Sequence, residues 1–175
     1  MVTLPAVGAA LLVVHAWNSL NSNRSLMSDA REFPKELSRG VCRALAQRGF
    51  ATLAEVALAN GRRADILALG RDGELVIVEI KSSVADFKSD HKWPEYREFC
   101  DRLYFAVPGA FPVELIPGDC GLIVADGFGA AFLREAPAEP LAAARRRAVL
   151  LRFAALAAGR LRRLTDPDIE DPEFG

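Results

Sequence analysis

The sequence predicts an α/β domain, and three observations carry that expectation. An apolar helical period opens the ordered region, two strongly apolar strand segments follow on a short loop, and helical and extended segments alternate beyond them. Pro34 suits the first turn of a helix, and Leu37, Val41, Ala44, Leu45 and Phe50 recur at helical spacing to about Gln47. Arg48-Gly49 ends that helix, and Ala51–Leu58 reads as the first strand. The run "ANGRR" carries an Asn-Gly turn signal, and strands at 64–69 and 74–81 complete a meander. Val84–Asp101 is mixed polar and reads as helical, with Pro94 starting a new segment or kinking it. Leu103–Val107 is the next strand, Phe111–Leu115 a helical turn, and Gly121–Ala125 with Ala131–Arg134 a closing hairpin.

Composition bounds the function. A chain of 175 residues, 51% hydrophobic and 26% charged, can bury one compact core, and its net charge of −1 gives no global basic field. Cys42, Cys100 and Cys120 are widely spaced and odd in number, which suits reduced thiols in a cytoplasmic protein. His15 and His91 are too few for a Cys/His zinc site. Leu4–Trp17 is apolar but short for a bilayer span, and no Lys or Arg precedes it as in a secretory signal. The expected organisation is an extension over residues 1–28, a domain over 29–165 and an acidic, Pro-rich disordered tail over 166–175.

The densest chemistry lies in "RRADILALGRDGELVIVEIKSS". Asp65, Glu79 and Lys81 sit in or beside the two apolar strands, where unpaired charge is costly and demands a partner, a metal or a substrate. Strand alternation puts Glu79 and Lys81 on one face. A three-residue loop Arg71-Asp72-Gly73, closed by a glycine bulge, would pair Gly70 with Glu74 and hence Asp65 with Glu79. Their Cβ atoms would then be roughly 5 Å apart; a two-residue loop would turn Asp65 to the other face. Two such carboxylates suit Mg²⁺ or Mn²⁺, with the Ile80 backbone carbonyl as a further oxygen ligand. Lys81 could orient a metal-bound water or meet the charge that develops during phosphodiester cleavage. A buried ion pair that only ties strands together is the competing explanation.

Beyond these three residues, "LANGRRADILAL", "VEIKSSVADFKSDHKWPEYREFCDRLYFAVP" and "GLIVAD" resemble the MmcB family of bacterial DNA-repair endonucleases, within the PD-(D/E)XK nuclease superfamily. Asp65, Glu79 and Lys81 fall on the superfamily's motif positions, with Ala64 in place of its proline. The resemblance implies a restriction-endonuclease-like core, a short mixed central sheet flanked by helices, and a role in DNA repair. The leading expectation from the residues is a Mg²⁺- or Mn²⁺-dependent deoxyribonuclease, endonuclease before exonuclease, with DNA as partner. Many proteins of that fold act as homodimers.

Other residues are candidates for the same site. Glu55 could add a carboxylate from the neighbouring strand or lie on an exposed face. Glu36 could fill an accessory acidic position or be a solvated helix residue. Ser82 follows the motif directly. Lys88 and Lys92 share a face if one helix spans both, and with Arg62 and Arg63 they are candidate DNA contacts. Tyr96 could orient a metal water or stack on a base. Asp86 and Asp90 run beside the lysines, so an ordinary salt-bridged surface fits equally.

Between Leu141 and Leu164 lie seven arginines and no acid, opposite an apolar stripe of Val149, Phe153, Leu156 and Leu161. Such a helix can clamp DNA or a partner, lie on a membrane surface, or dock on the sheet with its arginines snorkelling outward. Two alternatives to the enzyme stand: a catalytically inactive nuclease-fold module binding DNA or protein in repair, and an accessory protein using the arginine helix.

Overall fold

The computed structural model describes residues 33–168. The expected extension over 1–28 and the tail from residue 169 lie outside the described residues. Helix α1 (Phe33–Gln47) leads into strands β1 (Ala51–Ala57), β2 (Arg63–Leu69) and β3 (Leu75–Ile80). Helix α2 (Val84–Ser89) and a 3-10 helix (Trp93–Phe99) connect to β4 (Arg102–Pro108). A 3-10 turn at Val113–Leu115, strands β5 (Gly121–Ala125) and β6 (Ala130–Arg134), and helix α3 (Ala143–Thr165) complete the chain. The six strands lie in sequence order in one sheet. β1 to β3 are antiparallel, β3 to β5 parallel and β6 antiparallel to β5, so the sheet is mixed, as expected.

Alternation along the strands splits the core into two layers. Leu67, Leu75, Ile77, Phe105, Val107 and Val124 face Tyr96 and Phe99 of the 3-10 helix and Val149 and Phe153 of α3. Ile66, Ala68, Val76, Val78, Tyr104 and Ile123 face Leu37, Val41 and Leu45 of α1. β3 is covered on both sides throughout, which is why it reads as an unbroken apolar run. Full burial of a side chain such as Phe105 contributes about 1.5–3 kcal/mol. α1 seats closely because Gly40 has no side chain: a Cβ there would fall 1.9 Å from the Asp126 carbonyl oxygen.

Val84–Asp101 divides at the proline, the first of the two alternatives that Pro94 offered: α2 stops at Ser89, and a 3-10 segment begins at Trp93, with Pro94 in its first turn where the missing N–H costs nothing. Lys88 and Lys92 therefore share no helix face, Lys88 lying on α2 and Lys92 capping the 3-10 helix. Helix α3 keeps part of its expected pattern: Val149 and Phe153 are buried, but Leu161 of the expected apolar stripe is 63% exposed because it lies on the far side of the helix, and only some of the arginines turn outward. Arg146 grips the buried Asp101 with both terminal nitrogens (2.7 and 2.6 Å) and also donates to the Gly73 carbonyl (2.8 Å). Arg145 lies over the Phe99 ring and 3.7 Å from Glu98, and Arg160 donates to the Glu55 carbonyl.

Candidate active site

The β2–β3 loop fixes the site. Gly70 N–H donates to the Glu74 carbonyl at 2.8 Å and Gly73 N–H to the Gly70 carbonyl at 3.0 Å. Gly73 takes the left-handed φ of +86° that the three-residue loop needs. Ile66 pairs with Val78, so the next step along the ladder opposes Asp65 and Glu79. Each carboxylate accepts an N–H from the facing strand: Asp65 N–H donates to Glu79 Oε1 (3.2 Å) and Ile80 N–H to Asp65 Oδ2 (2.8 Å). The apolar ladder of Leu67, Leu75 and Ile77 thus ends in charge.

Lys81 completes the group from the same face. Its Nζ is 3.8 Å from Glu79 Oε2 and 2.5 Å from Asp90 Oδ2. Glu79 and Lys81 are only 3% and 5% exposed, while Asp65 is half-buried. They are nevertheless reachable, because all three line a cleft of about 740 Å³. Burial, followed by the neighbouring Asp65 carboxylate, pushes the Glu79 carboxyl up to about 8. Burial likewise raises Asp65, against the Ile80 N–H and the Lys81 ammonium. Asp90 moves the other way: burial would raise it, but the Lys81 ammonium and the Lys92 N–H hold it below the ordinary range. Two acids therefore sit where negative charge is short of a counter-ion, while the Lys81 ammonium leans toward a third.

The remaining candidates divide. Ser82 lies beside the motif with its N–H and hydroxyl both on the Asp86 carboxylate, while Ser83 caps α2 by accepting from Asp86 N–H. Tyr96 lines the cleft, its hydroxyl donating to the Arg63 carbonyl at 3.0 Å; burial and the carboxylates of Glu79 and Asp65 raise its pKa. Arg63 is exposed at the rim, 3.6 Å from Glu55. Arg62 is held by both carboxylate oxygens of Glu95 (2.8 and 3.0 Å). Lys88 and Lys92 are exposed and are not among the cleft-lining residues. Glu36 is also outside the lining, 3.9 Å from Arg39. The lining includes residues the sequence did not single out, Lys35, Ser38 and Arg39 of α1 together with Ser89. Asp90, foreseen only in a polar surface cluster, is the direct partner of Lys81.

Glu55 lines the cleft, is exposed, and carries a φ of +51°, the one positive value outside glycine among the described residues. The paired positions of β1 and β2 skip it. A left-handed L-residue costs about 1–2 kcal/mol. Glu55→Gly is therefore expected to stabilise the protein by about 1 kcal/mol in urea unfolding. A loss of similar size would show that the Glu55 side chain holds the bend through its contacts.

Among the described residues no group of three or more His, Cys, Asp or Glu stands ready to hold a metal. Asp65 and Glu79 are the two hard oxygen donors that meet, and each spends one oxygen on a backbone N–H. A magnesium-type ion fits that set, since it commonly takes one or two carboxylates and completes its shell with water and phosphate oxygens.

A solved structure, the SPO1766 protein of unknown function from Silicibacter pomeroyi, is 44% identical, covering 81% of this chain and 97% of its own, with a TM-score of 0.76. A repair endonuclease from Pyrococcus abyssi is 15% identical over 62% of this chain and 40% of its own; at a TM-score of 0.27 that likeness carries no weight. No curated protein matches the chain. No helix among the described residues is long and apolar enough to cross a membrane. The family model described as "DNA repair protein MmcB-like" matches residues 23–168, so the chain belongs to the MmcB-like DNA repair protein family.

Proposed function

We propose that the cleft is the centre of a Mg²⁺- or Mn²⁺-dependent deoxyribonuclease of PD-(D/E)XK type that acts in DNA repair. One observation carries this: Asp65 and Glu79 converge from adjoining strands on the floor of an open cleft with Lys81 on the same face. Asp65, Glu79 and the Ile80 carbonyl would hold the cation. When bound, such an ion polarises a phosphate and lowers the pKa of a water.

The chain's own groups then have separate tasks. The Asp65 carboxylate, held by the Ile80 N–H, and the Glu79 carboxylate, held by the Asp65 N–H, are oriented before any ion arrives. The Lys81 ammonium, fixed by Asp90, lies where it can orient the attacking water or stabilise the charge developing on phosphorus-bound oxygens. Lys35, Arg39 and Arg63 on the lining supply cations for the flanking phosphates, whereas Lys88 and Lys92 lie outside it.

A second possibility, a catalytically inactive module that binds DNA or protein in repair, is favoured by a different observation: Lys81 is closer to Asp90 than to Glu79. Plasmid, nicked, gapped and branched DNA incubated with Mg²⁺ or Mn²⁺ separates the two. Cleavage by the parent is expected to fall at least about 100-fold in Lys81→Ala, the scale of losing a group that stabilises transition-state charge. Equal cleavage by parent and variant would remove Lys81 from the chemistry. DNA bound but intact with either metal would establish the binding module.

A further inference from the structure

Arginine makes up only a minority of the exposed residues of α3, most of which are alanine and leucine. Arg145, Arg146 and Arg160 turn toward Glu98, Asp101 and the Glu55 carbonyl, which leaves a different surface outward. At alternating spacings of four and three residues it presents Arg147, Leu151, Ala154, Ala158, Leu161 and Thr165, all exposed. Leu151 and Leu161 are 61% and 63% exposed, and Leu164 beside them is 82% exposed. This is the spacing of a helix-pairing seam, and it lies opposite the stripe that docks Val149 and Phe153 into the core.

The seam reads the same in both directions. A two-fold axis level with Leu156 sets Leu151 of one helix opposite Leu161 of another, and Ala154 opposite Ala158. The central alanines would let two backbones approach closely, toward the near end of the usual 8–10 Å interaxial range. The ends complement one another too: Arg147 would face the other helix where Thr165 leads into Asp166 and Asp168. We propose that this face is a self-complementary docking surface whose occupant is a second copy of the chain, with the two α3 helices antiparallel. A closed two-fold pair of this kind places the same patch on both partners. DNA or an anionic membrane would instead favour arginines turned outward, and several are committed inward to acids and a carbonyl.

Sedimentation of the full chain from about 1 to about 100 µM is expected to show a monomer–dimer equilibrium. Leu151→Glu combined with Leu161→Glu should weaken it roughly 100-fold or more with unchanged circular dichroism. An equimolar mixture of Ala154→Cys and Ala158→Cys chains should form far more disulfide-linked dimer than either variant alone, above the parent's own background. A chain monomeric at every concentration would overturn the proposal, as would a dimer that survives the paired glutamates. Preferential cross-linking of Ala154→Cys with itself would mean a parallel pair and overturn the antiparallel one. Monomer retained on phosphatidylserine vesicles, and released by the paired glutamates, would assign the face to lipid instead.

Discussion

Replacing Glu79 by glutamine is expected to reduce the proposed metal-dependent DNA cleavage by at least about 1,000-fold while making the metal-free protein more stable at neutral pH. Both effects have one cause. The Glu79 carboxylate is buried against Asp65 without a full counter-charge, and in the folded chain its pKa rises from 4.5 to about 8. Between those values the folded state holds a proton that the unfolded state has released. Stability contributed through this group therefore falls as pH rises from about 4.5 to about 8. Asp65, also raised, acts in the same direction. The lowered acids, Asp90, Asp101 and Glu135, exert their opposite effect at more acid pH, below the ordinary carboxylate range.

The penalty by pH 8 is of the order of a few kcal/mol, several degrees of melting temperature for a chain of this size. Mg²⁺ or Mn²⁺ bound to the folded state alone should restore those degrees. Glutamine keeps the oxygen that accepts the Asp65 N–H but carries no charge, so Glu79→Gln should flatten the pH dependence and lose the metal response. A variant that melts with the parent's pH dependence would show that Glu79 is not the strained acid. One that still cleaves at the parent's rate would remove it from the chemistry. The two readouts separate a catalytic failure from a metal-binding failure.

Much of this site was legible because a hairpin is local. The loop length set the register, the register set the facing residues, and Asp65 could be paired with Glu79 by counting. The apolar strands and the first helix were equally legible, each buried face repeating at its own period. Asp90 was not, since its meeting with Lys81 depends on the chain breaking between Ser89 and Trp93. A continuous helix there would have sent Asp90 elsewhere. The contribution of Lys35, Ser38 and Arg39 was hidden for a related reason: helical spacing shows that they share a face, but not that this face overlooks the ends of β2 and β3. The arginines of α3 left the character of its surface open because a run of like charge says nothing about acids far away in sequence. Asp101 lies 45 residues before Arg146.

That distant pair yields the second large effect. Asp101→Ala is expected to destabilise the protein by about 3 kcal/mol, lowering its melting temperature by roughly 6–12 °C. Asp101 is buried and accepts from the Leu75 N–H (2.8 Å), the Leu141 N–H (2.9 Å) and two nitrogens of Arg146. Burial alone would raise its pKa; those donors outweigh burial and hold it low. Removing the carboxylate strands two backbone donors and a guanidinium at once, where β3 begins and α3 is tied down. Arg146→Lys keeps the charge but loses the two-pronged geometry, so it should fall between parent and Asp101→Ala. A cost below about 1 kcal/mol would mean that Val149 and Phe153 hold α3 without this anchor. Asp101 is not among the residues lining the cleft, so Asp101→Ala should keep the parent's gain in melting temperature on adding Mg²⁺ while starting from a lower value. Loss of that gain as well would show that the anchor and the carboxylate pair belong to one cooperative unit.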